Sequence, residues 1–143
     1  MRTDRVFVDT NILLSGLVFK GNESKVLDLA IEGTIRLVVP EVVIGEARTV
    51  LGEKFPRHTH VLDEFLSLVG YDPGSSPSED DFLRARAALR DPGDVPVLAA
   101  VLACKPDFAL TGDNDLLTPE VRAVFPLMTA REFLSSSRRN LGI

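Results

Sequence analysis

The chain has 143 residues, of which 45% are hydrophobic and 26% charged, and this is the composition of one ordinary globular domain. It excludes a disordered chain, a coiled coil and a collagen-like repeat, and no apolar run approaches the roughly 20 residues that a membrane-spanning helix needs. A single cysteine, Cys104, excludes an internal disulfide and a cysteine-based zinc cluster, so we expect a reducing, cytoplasmic setting.

Short apolar segments alternate along the chain with segments of helical periodicity. The expected strands cover residues 5–9, 35–39, 107–111 and about 127–129, with a further short strand expected near 68–71. The expected helices cover residues 12–19, 23–33, 41–55, 58–69, 79–90, 94–104 and 119–124, with a last helix after 129. This alternation predicts one α/β domain over residues 1–135 with a mainly parallel sheet, followed by a flexible tail over 136–143.

Capping residues mark several of these boundaries. Gly33 fits the end of the helix over residues 23–33, and Ser78 fits the start of the helix over 79–90. Thr129 and Glu132 have the spacing of a capping box, in which each side chain binds a backbone N–H near the other residue. Residues 72–78 are rich in proline, glycine and serine and are expected to form a surface loop.

Carboxylates follow the predicted strands at the ends where parallel sheets carry their binding sites. Asp9 follows the first strand, Asp113 and Asp115 follow the strand that ends at residue 111, and Asp94 begins the helix before that strand. Glu46 lies in an otherwise apolar helix and is expected on its inward face, where an unpaired carboxylate is costly. Converging carboxylates raise one another's pKa, and a divalent cation removes that penalty.

A divalent cation also changes what the net charge of the protein implies about its partners. The 16 basic and 21 acidic residues give a net charge of −5, which alone argues against a nucleic-acid partner. Placing the five acids in a cation site leaves equal numbers of basic and acidic residues elsewhere. Mg²⁺ and Mn²⁺ favour carboxylate oxygens, and a cation held in this way activates water for phosphodiester cleavage.

Each of these acids also has an ordinary structural explanation. Asp94 fits a helix N-cap, and Asp9 and Asp113 fit turns at strand ends. Glu46 could be neutralised by Arg48. Asp91 is interpreted as a turn residue before the glycine at position 93, and the alternative is a residue that supports the metal ligands from outside.

Four segments resemble, in order, the acidic motifs of PIN-domain nucleases. Residues 8–11 (VDTN) resemble the opening motif, and the glutamate in residues 40–47 (PEVVIGEA) is similar to the second acid of the family. Residues 91–100 (DPGDVPVLAA) resemble the third motif, and residues 111–117 (TGDNDLL) resemble the fourth. The resemblance runs from residue 5 to about residue 134.

The resemblance implies a three-layer α/β fold in which helices flank a central, mainly parallel five-stranded sheet. It implies cleavage of RNA by metal-activated water, with Mg²⁺ or Mn²⁺ as cofactor. The implied acidic pocket consists of Asp9, Glu46, Asp94 and Asp113, and Asp115 is implied to help hold a second ion or a water. Thr10, Asn11 and Thr111 are implied to support the acidic pocket. Thr10 and Asn11 are expected to hold Asp9 and the loop after it by hydrogen bonds.

The resemblance is greatest to the VapC-like toxins, which implies a type II toxin–antitoxin pair, an antitoxin protein as partner and a homodimer. Lys20 and Lys25 are candidates for contact with RNA phosphates, and solvated lysines are an equal alternative. Two other functions stay open at this point, a non-catalytic PIN-like binding module and an orphan RNA-processing nuclease. No membrane association is expected.

Overall fold

A computed structural model describes residues 3–140 of the chain, and the side chains of residues 3–136. The strands are β1 (Asp4–Val8), β2 (Ile35–Val38) and β3 (Phe108–Leu110). The helices are α1 (Thr10–Val18), α2 (Asn22–Ile31), α3 (Glu41–Lys54), α4 (Thr59–Leu68), α5 (Glu79–Ala88), α6 (Val95–Cys104), α7 (Pro119–Val124) and α8 (Ala130–Asn140). Short 3₁₀ turns cover Pro56–His58, Pro92–Asp94 and Asn114–Leu116. These elements confirm the predicted α/β fold with a parallel sheet.

The sheet has the order β2-β1-β3, with β1 in the centre and parallel to both neighbours. Val6, Phe7 and Val8 of β1 are fully buried. A parallel strand covered on both faces has such a continuous apolar sequence. The chain places β2 on one side of β1 and β3 on the other, so the crevice between the ends of β1 and β3 is a topological switch point, where ligands bind in open parallel sheets.

The expectation of a five-stranded sheet is wrong in strand number, because two expected strands are reduced to single bridges. Asp72 pairs with Val38 at the outer side of β2, and Met128 pairs with Leu110 at the outer side of β3. Each of the two bridge residues makes two backbone hydrogen bonds to the neighbouring strand, of 2.8–3.0 Å. Within residues 3–140 the ladders therefore form three strands.

Neighbouring residues explain why these bridges do not extend into ladders. Pro73 follows Asp72 directly and has no N–H to donate to a ladder. Pro126 lies two residues before Met128, and Thr129 directly after it already caps α8. Only one residue at each edge is thus free to pair.

The predicted caps are confirmed. The Ser78 side chain accepts a hydrogen bond from the Asp81 N–H at 3.1 Å, and the Asp81 carboxylate accepts one from the Ser78 N–H at 2.9 Å. Thr129 and Glu132 form the same reciprocal arrangement, with two bonds of 3.1 Å. Gly33 follows the end of α2 with a φ of 79°, which glycine adopts without steric cost.

The helices contact one another in two groups. In one, α1 packs against α2 and α3, and α2 packs against α8; in the other, α5 packs against α6 and α7. The largest fully buried side chains include Phe7, Leu37, Leu62, Leu98 and Phe133. No helix within residues 3–140 combines the length and the apolarity needed to cross a membrane.

The last helix extends further than expected. A flexible tail was expected from residue 136, whereas α8 is helical to Asn140. Residues 141–143 of the expected tail lie outside the described residues. The division into a domain over 1–135 and a flexible tail over 136–143 stays a prediction.

Candidate functional site

Four acidic side chains from four parts of the chain line one cavity of about 120 Å³ at the carboxyl end of the sheet. Asp9 follows β1, Glu46 lies in α3, Asp94 precedes α6, and Asp113 follows β3. Thr10, Asn11, Gly93, Val97 and Leu116 complete the lining. The acids that the sequence placed at strand ends therefore meet at the switch point of the sheet.

Asp9 is the most buried of these acids, with 4% of its surface exposed. One carboxylate oxygen accepts a hydrogen bond from the Ile12 N–H at 2.9 Å, which caps α1, and the other accepts a hydrogen bond from the Thr111 hydroxyl. Burial raises the pKa of the Asp9 carboxyl above its ordinary value, although these two hydrogen bonds lower it. Asp9 is thus a helix cap and not the ordinary turn residue considered from the sequence, and the cap accounts for one of its two oxygens.

Thr111, and not Thr10, holds Asp9 in position, which corrects the expectation from the resemblance. The Thr10 hydroxyl is buried and has no hydrogen-bond partner among residues 3–140. Asn11 is exposed at the rim, and within the described chain its side chain makes no hydrogen bond to Asp9. Thr10 and Asn11 both line the cavity beside Asp9.

Asp113 is fixed by the turn after β3. Its N–H donates to the Thr111 hydroxyl at 3.0 Å, and one of its carboxylate oxygens accepts a hydrogen bond from the Asp115 N–H at 2.9 Å. The interpretation of Asp113 as a turn residue is therefore correct for that oxygen. The Asp113 carboxyl is also close enough to that of Asp94 to raise the pKa of Asp94.

Asp94 occupies the N-cap position of α6, yet its side chain makes no capping hydrogen bond within the described residues. One of its carboxylate oxygens is buried with no hydrogen-bond partner in the same part of the chain. Burial and the negative charges of Asp113, Asp91 and Asp115 raise the pKa of Asp94 to about 7. The capping explanation for this aspartate is thus not supported.

A second acidic group adjoins the cavity and shares Asp94 with it. One carboxylate oxygen from each of Asp91, Asp94 and Asp115 lies within 4.8 Å of the other two. Asp91 also accepts a hydrogen bond from the Gly93 N–H at 2.9 Å, so its interpretation as a turn residue is correct but incomplete. Its spacing of three residues before Asp94, across a 3₁₀ turn, is the signal that could have placed it in this group.

Glu46 reaches the cavity from the exposed side of α3, which corrects the expectation of an inward-facing carboxylate. The buried face of α3 is formed by Val43, Ile44, Ala47 and Leu51. Arg48 does not neutralise Glu46, because its guanidinium pairs with Asp63 at 2.8 Å. In the described chain Glu46 has no hydrogen bond or ion pair, so its carboxylate is available to a ligand in the cavity.

Comparison with protein families adds independent evidence. The family model described as "PIN domain" matches residues 5–115, which is more than half of the chain and contains all five predicted acids. The chain belongs to the PIN-domain family. Neither the search of curated proteins nor the search of solved structures gives a match to this PIN domain. PIN domains are in general metal-dependent nucleases that act on RNA.

The donor set of this PIN domain fits a hard divalent cation. It consists of carboxylate oxygens, and two buried oxygens, from Thr10 and Asp94, lack a partner within residues 3–140. Mg²⁺ and Mn²⁺ bind such oxygens and retain waters that hydroxyl groups can contact. The raised pKa of Asp94 is the expected result of placing carboxyls together without a cation.

Lys20 and Lys25 are not part of the lining of the cavity in this PIN domain. Both are exposed. Lys20 follows the end of α1, which begins beside Asp9, and a nine-residue helix is about 14 Å long. A contact between these lysines and RNA stays a prediction.

Proposed function

We propose that this PIN domain is a divalent-metal-dependent endoribonuclease that hydrolyses phosphodiester bonds of RNA. The observation that carries the proposal is the convergence of Asp9, Glu46, Asp94 and Asp113 on one cavity, where one Asp94 oxygen has no hydrogen-bond partner among the described residues. The alternative of a non-catalytic binding module does not require such a convergence. Membership of the family supports the same reaction class.

Asp9, Glu46, Asp94 and Asp113 are the residues that hold Mg²⁺ or Mn²⁺ in this proposal, with Asp115 assisting beside Asp94. A bound cation of this kind lowers the pKa of a water and neutralises charge on the phosphate. Thr111 fixes the Asp9 carboxylate, and Thr10, whose hydroxyl has no hydrogen-bond partner among residues 3–140, lines the cavity in which a water or a phosphate would bind in this proposal. In this proposal the acids thus bind the cation, and the threonine side chains orient the groups around it.

The test is cleavage of a labelled single-stranded RNA by purified protein, with Mg²⁺, with Mn²⁺ and with a chelator. We expect cleavage only with the metals, and loss of at least about 100-fold in Asp9→Asn and Asp113→Asn, because each removes a charged ligand. Asp28→Asn is the matched control, since Asp28 is an exposed aspartate on α2 that does not line the cavity. Equal cleavage by Asp9→Asn would identify a contaminating nuclease and refute the proposal.

We further propose that the nuclease is the VapC-like toxin of a type II toxin–antitoxin pair, acting in the cytoplasm with an antitoxin partner and as a homodimer. The order and the spacing of the four acidic motifs support this narrower assignment. Expression of the wild-type chain should stop growth of a host cell, and expression of Asp9→Asn should not. An orphan RNA-processing nuclease is the conclusion if the active chain is harmless and has no neighbouring gene for a small partner.

The charge distribution implies a modest affinity for RNA. Outside the five acids the basic and acidic residues are equal in number, so few phosphates are neutralised by the protein itself. RNA affinity should depend only weakly on monovalent salt. A steep dependence would show a basic surface that this assignment omits.

A further inference from the structure

A second concave surface lies beside the acidic cavity. This groove, of about 370 Å³, runs between the start of α3, residues 73–77, α5 and the start of α6. Val42, Phe82 and Pro96 give it apolar walls. Its volume falls within the range of sites that bind small organic groups.

The groove and the acidic cavity share two walls. On α3, Val42 lines the groove and Glu46 lines the cavity, and residues four apart on a helix lie about 5–6 Å from each other on the same face. On α6, Pro96 lines the groove while Val97 lines the cavity. The groove and the cavity are therefore neighbours, as a base and the adjacent phosphate are in one RNA strand.

The polar edge of the groove selects for hydrogen-bond donors. Glu41 lines the groove with an exposed carboxylate that has no hydrogen bond or ion pair in the part of the chain that the structure describes. An ionised carboxylate has two acceptor oxygens and no donor. Ser75 and Ser76 lie on the opposite loop, where each hydroxyl can donate or accept.

The loop that forms this wall is held in place. Asp72 accepts a hydrogen bond from the Gly74 N–H at 2.7 Å and pairs with the Arg5 guanidinium at 3.0 Å. Gly74 has a φ of 71°, and a Cβ at this position would overlap the Cys104 sulfur. The groove is thus a formed surface that exists before a ligand binds.

We propose that this groove binds a guanine base next to the phosphate that is cleaved. Guanine carries two neighbouring donors, N1–H and the N2 amino group, on one edge, and these match the two oxygens of the Glu41 carboxylate. Its flat faces match the apolar walls, as in the recognition of unstacked bases in single-stranded RNA. The inference rests on the proposed nuclease function, because continuity with the acidic cavity favours a nucleobase over a side chain of a partner protein.

Two measurements test the proposal. The first compares cleavage of RNAs that carry guanine, inosine, which lacks the N2 amino group, or no base at each position beside one cleavage site. The second titrates guanosine and inosine 5′-monophosphates, with Mg²⁺, into ¹⁵N-labelled protein and follows the amide signals of Val42, Ser75 and Ser76. We expect about a tenfold preference for guanine over inosine in wild type, and loss of that preference in Glu41→Gln.

Glu53→Gln is the matched control, because Glu53 is exposed on the same helix and does not line the groove. It should retain the preference for guanine. Cleavage without any base preference would overturn the groove assignment and leave the nuclease intact, as would a preference that persists in Glu41→Gln. If no RNA is cleaved, the nuclease proposal fails, and groove amides that do not respond to guanosine monophosphate then overturn the groove as well.

Discussion

The hydroxyl of Thr111 donates a hydrogen bond to the carboxylate of Asp9, 102 residues earlier in the chain. The same hydroxyl accepts the Asp113 N–H at 3.0 Å. A single buried side chain thus joins the carboxyl ends of β1 and β3 and sets the position of one acid relative to another.

Thr111→Val should lower the free energy of unfolding by about 1–3 kcal/mol, because the nearly isosteric side chain leaves a buried carboxylate without its donor. Denaturant unfolding of the metal-free protein measures this change. Thr111→Ser keeps the hydroxyl and should recover most of the loss. If Val and Ser have the same effect, the hydrogen bond is not what stabilises this junction.

Thr10→Val should have the opposite effect on stability. The Thr10 hydroxyl is buried without a partner in the described structure, so its removal should leave the free energy of unfolding unchanged or raise it by about 1 kcal/mol. RNA cleavage should nevertheless fall, because Thr10 lines the acidic cavity. Thr10→Ser, which retains the hydroxyl, is the control for cleavage, and full activity in Thr10→Val would remove this residue from the site.

Asp94→Asn should separate stability from metal binding. Without divalent ions the variant should unfold at a higher temperature than wild type, because it removes repulsion from Asp113, Asp91 and Asp115. Mg²⁺ should raise the unfolding temperature of wild type and do so less for the variant. Asp28→Asn should respond to Mg²⁺ like wild type, and an equal response in Asp94→Asn would contradict a ligand role for Asp94.

The pH dependence of stability should report the same carboxyl. The pKa of Asp94 is about 7 in the folded chain and about 3.9 in an unfolded chain, so the folded state binds more protons between these values. The stabilising contribution is complete below about pH 4 and is lost as the pH rises through about 7. In a chelator, wild type should lose stability relative to Asp94→Asn between about pH 4 and pH 7. A difference that is constant over this range would contradict the raised pKa.

The sequence predicted the location of the acids better than the contacts around them. Asp9, Asp94 and Asp113 could be placed because a parallel sheet brings the ends of its strands to one edge. The hydrogen-bond partner of Asp9 could not be predicted from the sequence, because the choice between Thr10 and Thr111 depends on how α1 leaves β1. Glu46 was expected to face inward from the apolar character of its helix, but the helix presents its apolar stripe one residue away.

Asp91 shows a different limit of prediction from the sequence. Aspartate before proline and glycine is a common turn signal, and the turn is present. The same side chain also lies beside Asp94 and Asp115. The three-residue spacing could have indicated the contact with Asp94, but no local pattern reveals the contact with Asp115, which is 24 residues away. The two missing strands have a local cause, since Pro73 and Pro126 limit each outer segment to one paired residue.

Those single bridges have a consequence for the behaviour of the protein at high concentration. An exposed sheet edge offers a template on which another chain can add a strand. Here Asp72 and Met128 occupy the outer edges of β2 and β3 near their carboxyl ends, and the strands themselves are only four and three residues long. The bridges therefore protect the sheet against edge-to-edge aggregation while keeping the three strands that position the acids.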